Sequence, residues 1–177
     1  MFKKILTKSL LIIISIVFLT ACNPKWKVDV NLTPADKIKV EKDIKEAMAV
    51  IKTEQKNKTK GSAMAYVVLA RAYEKQGDRK KAAKVYTDAI KYGLVSRAIY
   101  NNLGKMYERV GEYKLAIKQY DLLLEKFNEK KYYYDIALAY IELKDGDNAS
   151  KYYDMWKRKF NTSDIVVEKK IRALRGV

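Results

Sequence analysis

Two stretches decide the fold of this chain: YVVLARAYEKQGDRKKAAKVYTDA at residues 66–89 and YNNLGKMYERVGEYKLAIKQYDLL at residues 100–123. A third stretch, YYDIALAYIELKDGDNASKYYDMW at residues 133–156, repeats their pattern. In each stretch tyrosine stands at the first, eighth and twenty-first places and alanine at the seventeenth. The aligned alanines are Ala82, Ala116 and Ala149, which lie 34 and 33 residues apart. Self-similarity at this period predicts a repeat array.

This pattern resembles the tetratricopeptide repeat, whose unit of about 34 residues consists of two antiparallel helices. Three units resemble it, at residues 63–96, 97–129 and 130–163. The resemblance implies an all-α fold, an α-solenoid of about three helix pairs in which small residues let the paired backbones approach closely. Leu123 and Trp156 stand where the family usually has alanine, and we expect them to alter the packing between units. The small residues are Ala70, Ala82, Gly104, Ala116, Ala137 and Ala149.

Glycines mark the turns inside the units. Gly77 and Gly111 stand between the two predicted helices of the first and second units, where a positive φ angle ends the first helix. In the third unit the corresponding sequence is KDGD at residues 144–147, so the glycine is displaced by two positions. We expect Gly146 to remain a turn signal there.

A helix is predicted before the first unit, and the helical domain is expected to span residues 33–177. Thr33 before Pro34 is typical of a helix start, because threonine caps the first turn and proline fits within it. This helix is predicted to run to about Lys56 and to pack against the first unit. Its apolar side is predicted to comprise Ile38, Ile44, Ala47, Met48 and Ile51, which recur at helical spacing.

A capping helix is predicted after the third unit, at residues 164–175. Ser163 or Asp164 is expected to cap its first turn. Its apolar side is predicted to comprise Ile165, Val167, Ile171 and Leu174. Lysine and arginine occupy the rest of the helix, which fits the polar outer face that a terminal repeat needs for solubility.

Residues 1–21 have the features of a signal peptide: three lysines precede an apolar run at residues 10–19. The run is shorter than the roughly 20 apolar residues of a membrane-spanning helix. The sequence Leu19-Thr20-Ala21-Cys22 resembles the lipobox of bacterial lipoproteins. That resemblance implies cleavage before Cys22 and attachment there of a diacylglycerol and of fatty acyl chains such as palmitate. The alternatives are an ordinary secretory signal with a chance cysteine and an uncleaved anchor.

We interpret residues 22–32 as a lipidated tether. Trp26 between Lys25 and Lys27 fits either a contact with lipid headgroups or a solvated linker. In the sorting rule of enteric-type lipoproteins, aspartate after the cysteine retains the protein at the inner membrane. Asn23 occupies that place here. We therefore expect a lipid-anchored protein of the cell envelope, in the outer membrane if the organism has two membranes.

The composition argues against catalysis. The 177 residues include no histidine and one cysteine. The commonest general base and metal ligand is therefore missing, and neither an internal disulfide nor a thiolate metal cluster can form. No nucleophile with a base, phosphate-binding loop or metal-ligand set is recognisable, so we expect no enzyme activity, cofactor or metal.

The formal net charge of +16 has three possible origins. It fits attraction to anionic headgroups, binding of an anionic envelope polymer or acidic partner, or simply a lysine-rich proteome. Nucleic acid is not expected as a partner, because nine of the fourteen tyrosines occupy core repeat positions. The tyrosines left as candidate surface aromatics are Tyr92, Tyr113, Tyr132, Tyr134 and Tyr152.

By the family resemblance, the first helix of each unit lines a concave groove. The residues predicted to face it are Met64, Val67, Arg71, Glu74, Ala98, Asn101, Lys105, Glu108, Lys131, Tyr134, Leu138 and Ile141. The candidate partner site consists of Arg71, Asn101, Lys105, Lys131 and Tyr134. In it Arg71 and Lys105 are expected to pair with carboxylates, Asn101 to bond peptide backbone, and Tyr134 to stack or pack.

The predicted function is therefore that of a membrane-tethered scaffold, with an unidentified envelope protein or peptide as its partner. One alternative is a protein that binds anionic envelope lipid or polymer through its basic surface. The other is a solvated groove with no dedicated ligand.

Overall fold

The computed structural model of the chain describes residues 24–57, 59 and 61–177, so the predicted signal peptide and Cys22 lie outside the described part. The described residues form eight α-helices and no β-strand, which confirms the predicted all-α fold. The helices are α1 (Pro34–Lys56), α2 (Ala63–Lys75), α3 (Arg79–Lys91), α4 (Arg97–Val110), α5 (Tyr113–Phe127), α6 (Tyr132–Glu142), α7 (Gly146–Phe160) and α8 (Ile165–Arg175).

The helices stack as three pairs between two flanking helices. Helices α2 and α3, α4 and α5, and α6 and α7 pack as pairs joined by turns of two or three residues. Each pair falls within one of the predicted units. Neighbouring pairs pack against each other, with α1 lying on α2 and α8 lying on α6 and α7. The core is thus a series of interfaces between neighbours, as expected of a solenoid.

The small residues of the repeat lie where helices meet most closely. The five alanines at these positions are completely buried. Gly104 shows why the position must be small, because a Cβ atom there would lie 2.6 Å from Cε1 of Tyr120. Tyr120 itself is completely buried and fills the space that the missing side chain leaves. Leu123, the large residue at an alanine position, is also fully buried.

The turns follow the prediction in two units and depart from it in the third. Gly77 and Gly111 take positive φ angles of 76° and 81°, as predicted. In the third unit Lys144 takes the positive φ angle, and Gly146 is instead the first residue of α7. The expectation that Gly146 marks the turn is wrong. This glycine permits close packing of α8, because a Cβ atom there would lie 2.8 Å from Cγ of Arg175.

Both flanking helices begin at the predicted caps. Oγ1 of Thr33 accepts a 3.1 Å hydrogen bond from the backbone N–H of Asp36, and Pro34 is the first residue of α1. Of the two candidate caps for α8, Asp164 takes the role. Its carboxylate accepts hydrogen bonds from the N–H groups of Val166 and Val167.

The apolar sides of α1 and α8 were predicted only in part. Ala47, Ile51, Val167 and Ile171 are buried as predicted. The prediction is wrong for Ile38, Met48 and Ile165, whose surfaces are 70%, 51% and 66% exposed, respectively. Val40, which the prediction left out, is buried on α1. Ile165 is the first residue of α8 and lies outside the interface.

The segment before α1 lies on the domain. Trp26 meets Tyr107 edge-on, with ring centroids 6.2 Å apart. The indole also packs against the buried core of the first unit. Neither expectation for Trp26, a headgroup contact or a solvated linker, included this contact. Among the described residues, no helix combines the length and apolarity that a membrane span requires.

Candidate partner-binding groove

The candidate groove is formed by the outward faces of α2, α4 and α6, the first helices of the three pairs. Helix α2 contacts α4 directly, so their faces form one surface. Met64 and Ala98 are exposed there, at the same position of successive units. Leu138, on α6, is half-buried.

Two residues predicted to face the groove belong instead to the core. Val67 is buried in the same cluster as Ala47 and Ile51 of α1. Ile141 is buried in a cluster with Val167 of α8. The prediction failed at both ends of the array because the flanking helices cover positions that remain open in a middle unit.

Arg71 and Lys105 are the predicted site residues that remain most available. Both side chains are exposed and occupy the same position of successive units. Neither forms an ion pair shorter than 4.0 Å with another described residue. Their charges act at longer range: burial raises the pKa values of Glu74 and Asp135, and Arg71 and Lys105, respectively, oppose part of that rise. Both cations are therefore accessible at the surface, and their pairing with a partner's carboxylates stays a prediction.

A row of half-buried carboxylates accompanies the cations. Burial raises the pKa values of Glu74, Glu108 and Asp135 above their ordinary range. The negative charge of Glu74 is partly compensated by Arg109, because a guanidinium nitrogen of Arg109 lies 3.6 Å from a carboxylate oxygen of Glu74. The face therefore carries opposite charges at different depths, with exposed cations beside carboxylates that are partly withdrawn from water.

Asn101 connects two units. Its Oδ1 atom accepts a 2.9 Å hydrogen bond from the hydroxyl of Tyr132 in the next unit. The ring of Tyr132 is buried and stacks on Tyr120 at 5.2 Å between centroids. Tyr132 is therefore not a surface aromatic, contrary to the sequence-based expectation. The expected contact of Asn101 with a peptide backbone stays a prediction, and its oxygen already has a partner within the domain.

Lys131 lies at the start of the third unit. Its ammonium group forms an ion pair with Glu129 at 3.2 Å and lies 5.1 Å from the centre of the Tyr132 ring. The hydrogen bond to Glu129 is the main cause that raises the pKa of Lys131. The side chain is exposed but already has acidic and aromatic neighbours.

Tyr134 fastens the last helix to the array. Its hydroxyl donates a 2.7 Å hydrogen bond to the carboxylate of Asp164, the cap of α8. Its ring packs on Trp156, with centroids 4.6 Å apart. Burial and the neighbouring carboxylate raise the pKa of Tyr134 to about 12. No sequence signal for this pairing exists in the repeat pattern, because Asp164 lies beyond the third unit.

A second surface, here called the basic edge, comprises the C-terminal turns of α1, α3, α5 and α7. The C-terminal ends of α1 and α3 meet, because the Tyr92 hydroxyl after α3 donates a 3.0 Å hydrogen bond to the Thr59 carbonyl after α1. The cations in these turns are Lys56, Lys91, Lys126, Lys157, Arg158 and Lys159. Cations at helix C-termini are favoured by the helix dipole, which explains part of this bias without a ligand.

The comparisons with known proteins agree with this architecture. Two family models described as tetratricopeptide repeat match the chain, over residues 67–131 and 130–154. Among solved structures, a tetratricopeptide repeat protein from Parabacteroides merdae ATCC 43184 superposes with a TM-score of 0.56 at 20% identity. The alignment covers 77% of this chain and 60% of that one, and at this identity it shows the fold alone. No curated protein matches the chain significantly. Within the described part, no group of residues is arranged to hold a metal ion.

Proposed function

We propose that this chain, a member of the tetratricopeptide-repeat family, is a lipid-anchored scaffold that binds an acidic protein segment on the face of α2 and α4. Arrays of this kind generally mediate protein–protein interaction. The observation that carries the proposal is the pair Arg71 and Lys105. Both are exposed, lie at equivalent positions of neighbouring units and lack a close ion pair within the described residues.

The spacing of the two cations suggests the form of the partner. Packed helices lie about 8–10 Å apart, and α2 and α4 are in contact. An extended chain advances about 3.3–3.6 Å per residue. On a segment in the polyproline II conformation, residues three apart lie on the same side at about 9 Å from each other, so carboxylates at that spacing match Arg71 and Lys105. Such pairs at an exposed surface contribute specificity and association rate more than affinity.

The membrane tether is supported by the sequence around Cys22. The only cysteine of the chain stands directly after Leu19-Thr20-Ala21, at the end of the predicted signal peptide. Two or three acyl chains hold a protein durably at a bilayer, whereas one does so only marginally. The scaffold would then act in the cell envelope, at the outer membrane where the organism has two.

The tether is tested by comparing the native protein with its Cys22→Ser variant. We expect the mass of the native protein to show loss of residues 1–21 and addition of lipid at Cys22, and the protein to fractionate with membranes. The variant is expected to leave the membrane fraction. An unlipidated native protein, or a variant that remains with the membrane, would refute the tether.

A second candidate function is binding of an anionic envelope polymer at the basic edge. The cations in the last turns of α3, α5 and α7, three of which are in α7, favour it. Salt should weaken both complexes, because both are held largely by charge. Charge reversal separates the two functions. Arg71→Glu with Lys105→Glu should abolish partner binding, Lys91→Glu with Lys126→Glu should abolish polymer binding, and Lys45→Glu with Lys118→Glu serves as the control.

A further inference from the structure

Residues 25–30, here called the strap, lie across the turns of the first two helix pairs. The backbone N–H of Val28 donates a 3.0 Å hydrogen bond to the carbonyl of Gly77. Lys27 and Asp78 form an antiparallel bridge at the same place. The guanidinium group of Arg79 donates a 3.0 Å hydrogen bond to the carbonyl of Lys25. Three backbone positions of the strap are thereby held to the turn between α2 and α3.

The other end of the strap reaches the second pair. Trp26 packs edge-on against Tyr107 of α4, with ring planes at 87°. Lys25 lies beside the turn between α4 and α5, where its Nζ atom would be 3.1 Å from a Cβ atom at Gly111. The strap therefore contacts both turns, which together form the turn edge: residues 76–78 and 111–112.

Gly77 is shaped to receive the strap. A Cβ atom at this residue would lie 1.8 Å from the carbonyl oxygen of Val28, and 2.8 Å from a methyl carbon of Val30. Gly93 provides a comparison, because it has a similar φ angle of 88° and nothing within 4 Å of a Cβ atom. The backbone angle explains a glycine at both residues, and the contact with Val28 is an additional requirement at Gly77.

We propose that the strap holds the turn edge against the lipid headgroups and turns the basic edge away from the membrane. The proposal rests on the proposed lipidation of Cys22. Two residues, Asn23 and Pro24, separate Cys22 from Lys25, and the three steps along the chain span at most about 11 Å. The docked strap therefore places the turn edge close to the anchor. Except for α6, the helices of the three pairs have 13 to 15 residues and are about 20 Å long. This length separates the turn edge from the basic edge.

The charges of the turn edge suit a surface of anionic headgroups. Lys75, Lys80 and Lys114 are exposed in the helix turns that flank this edge, beside Lys25 and Lys27 of the strap. These five cations outnumber the acids of the edge and the strap, which are Asp29, Asp78 and Glu112. Basic residues close to an anionic leaflet are attracted to it within about a Debye length. With the turn edge at the membrane, the basic edge and the long sides of the helices remain accessible to a partner.

The test measures the distance of each edge from the headgroups in the lipidated, full-length protein. Because Cys22 is the only natural cysteine and carries the lipid, Lys114→Cys or Thr162→Cys gives one dye-labelling site at the turn edge or at the opposite edge. Each labelled protein is reconstituted into vesicles of phosphatidylethanolamine and phosphatidylglycerol with a nitroxide quencher on the headgroup. We expect strong quenching at residue 114 and weak quenching at residue 162. Equal quenching, or stronger quenching at residue 162, would overturn the proposal.

The strap is tested by adding Trp26→Ala or Gly77→Ala to each labelled protein. We expect both changes to abolish the difference between the two edges while the protein still floats with the vesicles. Gly93→Ala should preserve the difference. Circular dichroism shows whether Gly77→Ala remains helical, and Trp26→Ala decides the question if it does not. A difference that persists in Trp26→Ala would refute the role of the strap.

Failure of the anchor is distinguishable from failure of the strap. A native protein that carries no lipid and does not float with vesicles overturns the proposed tether, and this orientation with it. In the soluble Cys22→Ser variant, slow hydrogen exchange of the Val28 amide is expected, because its N–H is bonded to Gly77. Rapid exchange of that amide would show that the strap does not dock.

Discussion

The hydroxyl of Tyr134 donates a 2.7 Å hydrogen bond to the carboxylate of Asp164, and this contact joins the third helix pair to the last helix. The same carboxylate caps α8 through the N–H groups of Val166 and Val167. Asp164 thus accepts hydrogen bonds from both sides of the junction. These hydrogen bonds lower the pKa of Asp164, with the bond from Tyr134 as the largest cause.

Tyr134→Phe is expected to lower the midpoint of thermal unfolding and to raise the pKa of Asp164 toward its ordinary value of 3.8. A carboxylate with a lowered pKa stabilises the fold above its unfolded-state pKa and loses that effect as pH falls through its folded-state pKa. The higher stability of the native protein should therefore be complete at neutral pH and be lost as the pH falls below about 3.8, through the lowered pKa of Asp164. Thermal unfolding across pH measures it. Tyr140→Phe is the control, and equal midpoints for Tyr134→Phe and native protein at pH 7 would contradict the prediction.

Gly104→Ala is expected to destabilise the second helix pair, because the added methyl group would lie 2.6 Å from the Tyr120 ring. Overpacking of a close core contact costs about 1–3 kcal/mol. Urea unfolding measures the change in the free energy of unfolding. The double variant Gly104→Ala with Tyr120→Leu should lose less than the sum of the two single changes, because the clash is then removed. Additive losses would show that Tyr120 is not the cause.

Glu108→Gln is expected to stabilise the protein at pH 8. Burial raises the pKa of Glu108, so the charged form is disfavoured in the fold and its isosteric amide avoids that cost. Because its pKa is raised, the charged carboxylate of Glu108 destabilises the fold at pH values above its folded-state pKa. The destabilisation vanishes when the pH falls below the ordinary pKa of 4.5. The advantage of the variant should therefore shrink as pH falls and be absent at about pH 4. Glu125→Gln, the same change at an exposed carboxylate, is the control. A variant that is less stable than the native protein at pH 8 would refute the assignment.

The repeat pattern predicted which residues are buried inside the array, because packing contacts that recur in each unit require the same residue types at the same positions. Tyr66 and Tyr100, equivalent residues of the first two units, are both deeply buried as expected. In the third unit Tyr133 is only half-buried, and its neighbour Tyr132 takes the buried place. Helix α6 begins at Tyr132 and has 11 residues, fewer than α2 or α4. The alignment does not show this difference in the start of the helix.

The ends of the array were predicted less well, for a related reason. Val67 and Ile141 occupy positions that face outward in the repeat pattern, but α1 and α8 cover them. Trp26 likewise packs on Tyr107, a contact between residues far apart in the sequence. Such contacts depend on how the flanking segments dock, and periodicity carries no information about docking. Of the candidate site, Arg71 and Lys105 are exposed as the repeat pattern predicted.

The central claim is that the face of α2 and α4 binds a protein partner in the cell envelope, and photo-crosslinking in the native cell tests it most directly. Ala98 is a suitable probe position, because it is exposed on this face. Lys118, exposed on the second helix of the same pair, is the matched control. We predict a discrete crosslinked protein from residue 98, lost on Arg71→Glu with Lys105→Glu, and none from residue 118. Products from residue 118 only, or from neither position, would contradict the claim.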